Sequence, residues 1–216
     1  MYYITFALIT VSAVIYFSYV QAVKSLEATV EDKLSVIAEL KVDNLDRWVA
    51  EQQRHAVFLA NLPELRSLSG QLLDPNSAAA VRNAAQQQLI ELLTIVMQRT
   101  ADFQDIQIVD RSGKIVVSMI PGNIGMSQAD QPFFREGSSK TFIQPFYKST
   151  VLNGVTLTIA TPLFDPTQRR MGVLALHYNM KRVDEIIHEN PGLNETVQSY
   201  LITPDRQIIT DDPVLL

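Results

Sequence analysis

A chain of 216 residues has room for one compact α+β domain and an anchoring segment, and is too short for a complete multidomain signalling protein. Its formal net charge of −5 comes without any cluster of Lys and Arg able to track phosphates, which excludes nucleic acid as a partner. Cysteine is absent, which removes disulfide scaffolds, thiolate metal sites and cysteine nucleophiles together.

The first predicted element runs from Tyr2 to Val23, YYITFALITVSAVIYFSYVQAV, with no charged residue. About 20 apolar residues span a bilayer core, and Tyr2, Tyr3, Tyr16 and Tyr19 lie near the ends, where aromatic rings favour the interface. No small-residue cleavage site follows, so residues 2–23 read as an uncleaved transmembrane helix. A cleaved signal peptide or a buried core helix are the competing readings. No Lys or Arg precedes the segment, so the positive-inside rule does not orient it.

Between Lys24 and Leu62 there is no Gly or Pro, and Leu26, Val30, Leu34, Ile37, Leu40, Leu45, Trp48 and Val49 recur at helical spacing. The pattern predicts a long membrane-proximal amphipathic helix over residues 24–62, ended near Pro63. A stripe this long exceeds what one small domain can cover, which points to pairing with a second copy as a homodimer. Packing on its own domain alone is the alternative.

A compact module follows over residues 63–180. After a turn at Leu73 to Asn76, with Asn76 or Ser77 able to cap, Ala78 to Arg99 is helical, with Leu89, Ile90, Leu93, Val96 and Met97 on one face. The period then changes. Ile106 to Asp110 and Lys114 to Ser118 alternate around Arg111-Ser112-Gly113 and predict a hairpin. A loop from Pro121 to Gln131 leads to a helical turn at Pro132 to Glu136, and strands are expected at Thr141–Lys148, Val155–Leu163 and Met171–Tyr178. The fold class is α+β, an antiparallel five-stranded sheet preceded by helices. Lys181 to Glu189 closes the module as a helix, and Tyr200 to Ile209 aligns without gaps to Gln107 to Val116, so residues 181–216 read as a connecting helix and the beginning of an incomplete second module.

Enzyme signatures are missing: no G-x-S-x-G, P-loop, H-E-x-x-H or dinucleotide fingerprint occurs, and Gly122-Asn123-Ile124-Gly125 opens no long helix. His55, His177 and His188 lack metal-ligand spacing, so neither a metal site nor a cofactor is expected.

The segments Asp105 to Ser118, Gln131-Pro132-Phe133-Phe134-Arg135-Glu136-Gly137, Val155 to Asp165 and Met171 to Met180 occur in an order that resembles the double Cache sensor domain of bacterial chemoreceptors, histidine kinases and cyclic-dinucleotide enzymes. The resemblance covers almost everything from Val23 onward. It implies a PAS-like sheet, a membrane-distal ligand module, a membrane-proximal module of which only the start is present, and an extracytoplasmic or periplasmic position on the inner membrane. It also implies a cytoplasmic output domain, such as a histidine kinase or cyclic-dinucleotide enzyme, outside this chain. The chain itself is then a small-molecule sensor without catalysis.

Carried over residue by residue, the resemblance nominates Gln131, Phe133, Phe134, Phe146, Tyr147, Lys148 and His177 as ligand-binding. Amino-acid-sensing members hold the ligand carboxylate with an Arg-x-Trp-Tyr motif and its ammonium with acidic residues on later strands. Here Gln131 stands at the arginine position, Lys148 and His177 replace acids, and Phe133 and Phe134 take the aromatic places. An ammonium beside Lys148 loses its counter-charge, so the ligand expected is anionic or uncharged. Aromatic residues on a half-buried sheet are more often ordinary core, and His177 reads more readily as a satisfied core or rim histidine than as a ligand contact. A pilin-like structural or assembly protein is the competing class, but pilins need an early acidic residue in the apolar helix, and residues 2–23 have none.

Overall fold

A computed structural model describes residues 2–152, 154–189 and 199–202, with the side chains of residues 4–10 and 13 outside the description. The first helix, α1, spans Tyr2–Ala60. The chain divides between Asn44 and Leu45 into two compact units, so residues 45–60 of α1 belong to the second unit, where Trp48, Ala56, Leu59 and Ala60 are buried in the core. The expected anchor falls within the first unit. Among the described residues no helix is long and apolar enough to cross a membrane.

Pro63 does not only end α1. It occupies the first turn of α2 (Pro63–Leu73), a position where its missing N–H is harmless and its fixed φ favours the helix. Sequence reading missed this helix because it took proline as a stop alone. Helix α3 spans Ala79–Arg99 and buries Ala85, Leu89 and Leu93, one residue per turn. Ala78 is its N-cap, with no side-chain cap bond, contrary to the expected Asn76 or Ser77. In the preceding turn the Asn76 backbone N–H donates to Asp74 Oδ1 at 2.9 Å, and the Ser77 carbonyl accepts from Arg82.

Five strands follow: β1 (Phe103–Asp110), β2 (Ile115–Ser118), β3 (Phe142–Ser149), β4 (Gly154–Phe164) and β5 (Arg170–Tyr178). They form one sheet in the order β2-β1-β5-β4-β3, with every neighbour antiparallel. The hairpin β1–β2 and the meander β3–β4–β5 are local pairings, and the long-range β1–β5 ladder joins them. A 3-10 turn at Pro121–Asn123 and helix α4 (Pro132–Gly137) lie between β2 and β3, and α5 (Lys181–His188) follows β5.

Alternation along the strands splits the interior into two cores. Ile106, Ile108, Leu157, Ile159, Leu174, Leu176 and Tyr178 face the helices of the second unit, α5 included. Val109, Ala160, Val173 and Ala175 face the other way and are covered by Phe133 and Phe134 of α4. Each fully buried Leu or Ile adds about 1.5–3 kcal/mol to stability, so the larger helix-side core carries most of the apolar burial. The smaller face is where polar side chains concentrate. Of the expected second-module hairpin, residues 203–216 lie outside the described residues.

Candidate functional site

On the α4-covered face the period of two brings Asp105 and Gln107 of β1, His177 of β5, Thr158 of β4 and Tyr147 of β3 onto one surface. Asp105 pairs directly with His177, and His177 with Thr158. These are central positions of a five-stranded sheet, so their polar groups are withdrawn from water.

His177 is 1% exposed. Its Nδ1 lies 2.8 Å from Thr158 Oγ1, which in turn lies 2.9 Å from the Tyr147 hydroxyl. Phe133 meets the imidazole edge to face, with ring centroids 5.3 Å apart. Burial pushes the imidazole down to about 4, against the opposing pull of the Asp105 charge, so His177 is neutral at pH 7. Burial likewise raises the Tyr147 phenol, with the Thr158 hydrogen bond working against it. His177 Nε2 has no hydrogen-bond partner among the described residues.

Asp105 is fully buried, and four donors converge on it. Gln107 Nε2 (2.8 Å), Ser118 Oγ (2.7 Å) and Asn123 Nδ2 (3.3 Å) donate to Oδ2, and Met119 N–H donates to Oδ1 (2.8 Å). The carboxylate thus fastens the end of β2 and the 3-10 turn to β1. Gln107 spends its amide N–H on Asp105, and its own Oε1 is buried with no hydrogen-bond partner among the described residues. A buried polar atom left unpaired costs free energy, so Gln107 Oε1 and His177 Nε2 are the groups on this face whose hydrogen-bonding capacity is unspent.

The nominated residues divide. Phe133, Phe134, Tyr147 and His177 lie on this face, and Gln131 is the half-buried N-cap of α4, its carbonyl accepting from Phe134 and Arg135. Phe146 packs against the helix-side core instead. Lys148 follows Tyr147 in β3, so it points to the sheet face opposite His177, and it is exposed. Asp105, Gln107, Thr158, Ser118 and Asn123 were not nominated. The one signal available for the strand residues was a polar side chain at alternating positions of otherwise apolar strands.

Three concavities lie elsewhere. A cavity of about 700 Å³ is lined by Arg66 and Gly70 of α2, Asp165 and Met171, and about 600 Å³ adjoins it around Asp74, Asp110 and Arg169. Arg66 ties this end together by donating to the Phe164 and Asp165 carbonyls. An apolar cleft of about 390 Å³ lies between α3 and Met119, Pro121 and Ile124. None of the three reaches His177. Among the described residues no group of His, Asp and Glu is placed to hold a metal ion.

No protein-family model matches the chain, and no curated protein does. Solved structures do. The sensor domain of the V. cholerae histidine kinase DctB aligns with a TM-score of 0.62 at 14% identity over 74% of this chain and 59% of that one. The ligand-binding domain of the Campylobacter jejuni chemoreceptor Tlp3, in complex with 4-methylisoleucine, gives 0.60 at 14% identity over 81% of this chain and 66% of that one. That of the Pseudomonas aeruginosa chemoreceptor PctC, in complex with GABA, gives 0.56 at 15% identity, covering 85% and 76%. The chain spans less than two thirds of the length of the first two. At these identities the likeness is one of fold: the chain shares the fold of these sensor and ligand-binding domains.

Proposed function

We propose that this chain is the ligand-sensing input region of a transmembrane signal-transduction receptor, its second unit reading a small molecule on the α4-covered face of the sheet. The observation that carries the reading is the pair of buried, unpartnered atoms on that face, Gln107 Oε1 and His177 Nε2, in a fold shared with ligand-binding sensor domains. The sensor is membrane-anchored through residues 2–23, in which Val11, Val14, Ile15, Tyr16, Phe17 and Tyr19 are all exposed. The sheet lies outside the cytoplasm, in the double Cache arrangement whose second module begins within residues 181–216. No catalysis belongs to this region. The output domain lies in the full-length receptor.

An uncharged ligand suits the face better than an anion. With Lys148 on the opposite side and His177 neutral, an anion would meet the Asp105 carboxylate in a low dielectric without a counter-ion. The expected anionic alternative rested on Lys148 and a protonated His177; here Lys148 lies on the other face and His177 is neutral at pH 7.

Thermal-shift screening of a panel of uncharged amides, alcohols and sugars beside their carboxylate analogues tests the reading. A stabilising compound should be uncharged, and its shift should vanish in Gln107→Leu while surviving in Lys148→Ala. A binder that keeps its shift in Gln107→Leu and loses it in Lys148→Ala would move the site to the other face.

A further inference from the structure

Consecutive residues of β5 serve opposite faces of the sheet. His177 lies on the α4-covered face, and Tyr178 lies on the helix-covered face, buried with no exposed surface. Each ends in a polar atom with no partner among the described residues, Nε2 of His177 and the hydroxyl of Tyr178. The Tyr178 ring is met edge-on by Trp48 of α1, with centroids 5.6 Å apart at 80°, and Phe103 packs against it at 4.9 Å. Among the described residues Trp48 Nε1 is buried without a partner, and so is Gln52 Oε1 one turn further along the same face of α1. An indole donor, an amide acceptor and a hydroxyl that can act as either therefore remain unspent around the junction of α1 with β5. An arrangement of this junction that paired these groups would recover the free energy they now forgo.

The ladder is also loosened at this point. The β1–β5 register shifts between Phe103 and Asp105, the residues opposite Tyr178 and His177. A bulge frees local twist that a regular ladder would hold.

We propose that β5 is the transmitting strand of this domain: a group bound at His177 Nε2 alters the end of β5, and the Tyr178–Trp48 contact carries the change to residues 45–60 of α1. This rests on the α4-covered face being the ligand site and adds how that site is read out. Tyr178 and Trp48 touch no ligand. They are positioning residues on the far side of the sheet.

Trp48 is the only tryptophan in the chain, so its fluorescence reports this junction alone. In the purified full chain, Thr158→Val removes the hydroxyl beside His177 Nδ1 while nearly keeping shape, and should shift Trp48 emission and its acrylamide quenching. Thr158→Ser, which restores a hydroxyl, should return both to the parent values. Ser138→Ala, which alters α4 without touching β5, should leave them unchanged. His177→Gln gives a second route to the same shift if Thr158→Val does not fold. A folded Thr158→Val or His177→Gln protein as silent as Ser138→Ala overturns the proposal. The two readings fail differently. A compound from the thermal-shift panel that binds with Trp48 silent removes the transmission and keeps the sensor. A panel without binders, with Trp48 still responding to Thr158→Val, removes the sensing and keeps the mechanical link.

Discussion

Four donors close on the carboxylate of Asp105, and removing it strands most of them. Asp105→Ala leaves the side chains of Gln107 and Asn123 and the Met119 N–H without this acceptor, while the Ser118 hydroxyl retains the Ile120 carbonyl. Hydrogen bonds to charged groups are worth about 1.5–3 kcal/mol each and do not add fully, so a loss of about 3 kcal/mol or more is expected from urea denaturation. A loss under about 1 kcal/mol would mean the carboxylate is not holding the turn. His177 gives the pH dependence. Its folded pKa of about 4 lies below the ordinary 6.5, so between those values the unfolded chain binds the extra proton. Stability from this group is therefore complete above about pH 6.5 and is lost as pH falls towards 4, by about 3 kcal/mol in all. His177→Gln should flatten that part of the stability profile, and an unchanged slope would show that another group titrates. The position of His177 was legible in the sequence, because it sits in an apolar strand with the right period. Asp105 was not. An acid two residues after Phe103 reads as a surface or turn residue, and only the pairing of β1 with β5, a contact between distant parts of the chain, buries it.

Helix α4 shows how a six-residue element is held in place. Phe133 N–H donates to Gln144 Oε1 at 2.9 Å, and the two phenylalanines cover the sheet. At its other end Gly137 lies so close to β4 that a Cβ there would come within 2.6 Å of the Ala160 Cβ. Gly137→Ala gains helix propensity of about 0.5–1 kcal/mol, but overpacking costs about 1–3 kcal/mol, so the clash wins. Gly137→Ala should lower the thermal midpoint, and Ala160→Gly in the same chain should recover part of the loss. Additive effects in that pair would separate the two residues. At this scale most of the fold was readable: the strands and α3 to α5 fall within a few residues of expectation, because alternation and 3.6-residue spacing are local properties. What escaped was α2, hidden behind a proline read as a stop, and which of Phe146 and Tyr147 shares a face with His177. Neighbouring strand residues must face opposite ways, but a register shift between Gln144 and Tyr147 in β3 sets which one takes which side, and no local pattern announces it.

For the whole molecule the open question is what covers the first unit of α1. Leu26, Val30 and Leu34 are 67%, 46% and 41% exposed, spaced four residues apart on one side of the helix. A continuous apolar stripe in water marks an interaction surface, and the spacing of a two-stranded seam is the arrangement that buries it with a second copy of the same helix. On the proposed reading, two copies anchored through residues 2–23 in one membrane run parallel, which brings equivalent residues of the two chains together. Single cysteines at Val30 and Leu34 should then form disulfide-linked dimers readily in membranes, and one at Glu31, off the stripe, should do so poorly. The chain has no cysteine of its own, so each variant reports one position. Because Leu26 is the most exposed of the three, Leu26→Glu should weaken the Val30 crosslink through like-charge repulsion across the seam. Equal crosslinking at Val30, Glu31 and Leu34 would show random collision in the bilayer, and the stripe would then need a different partner.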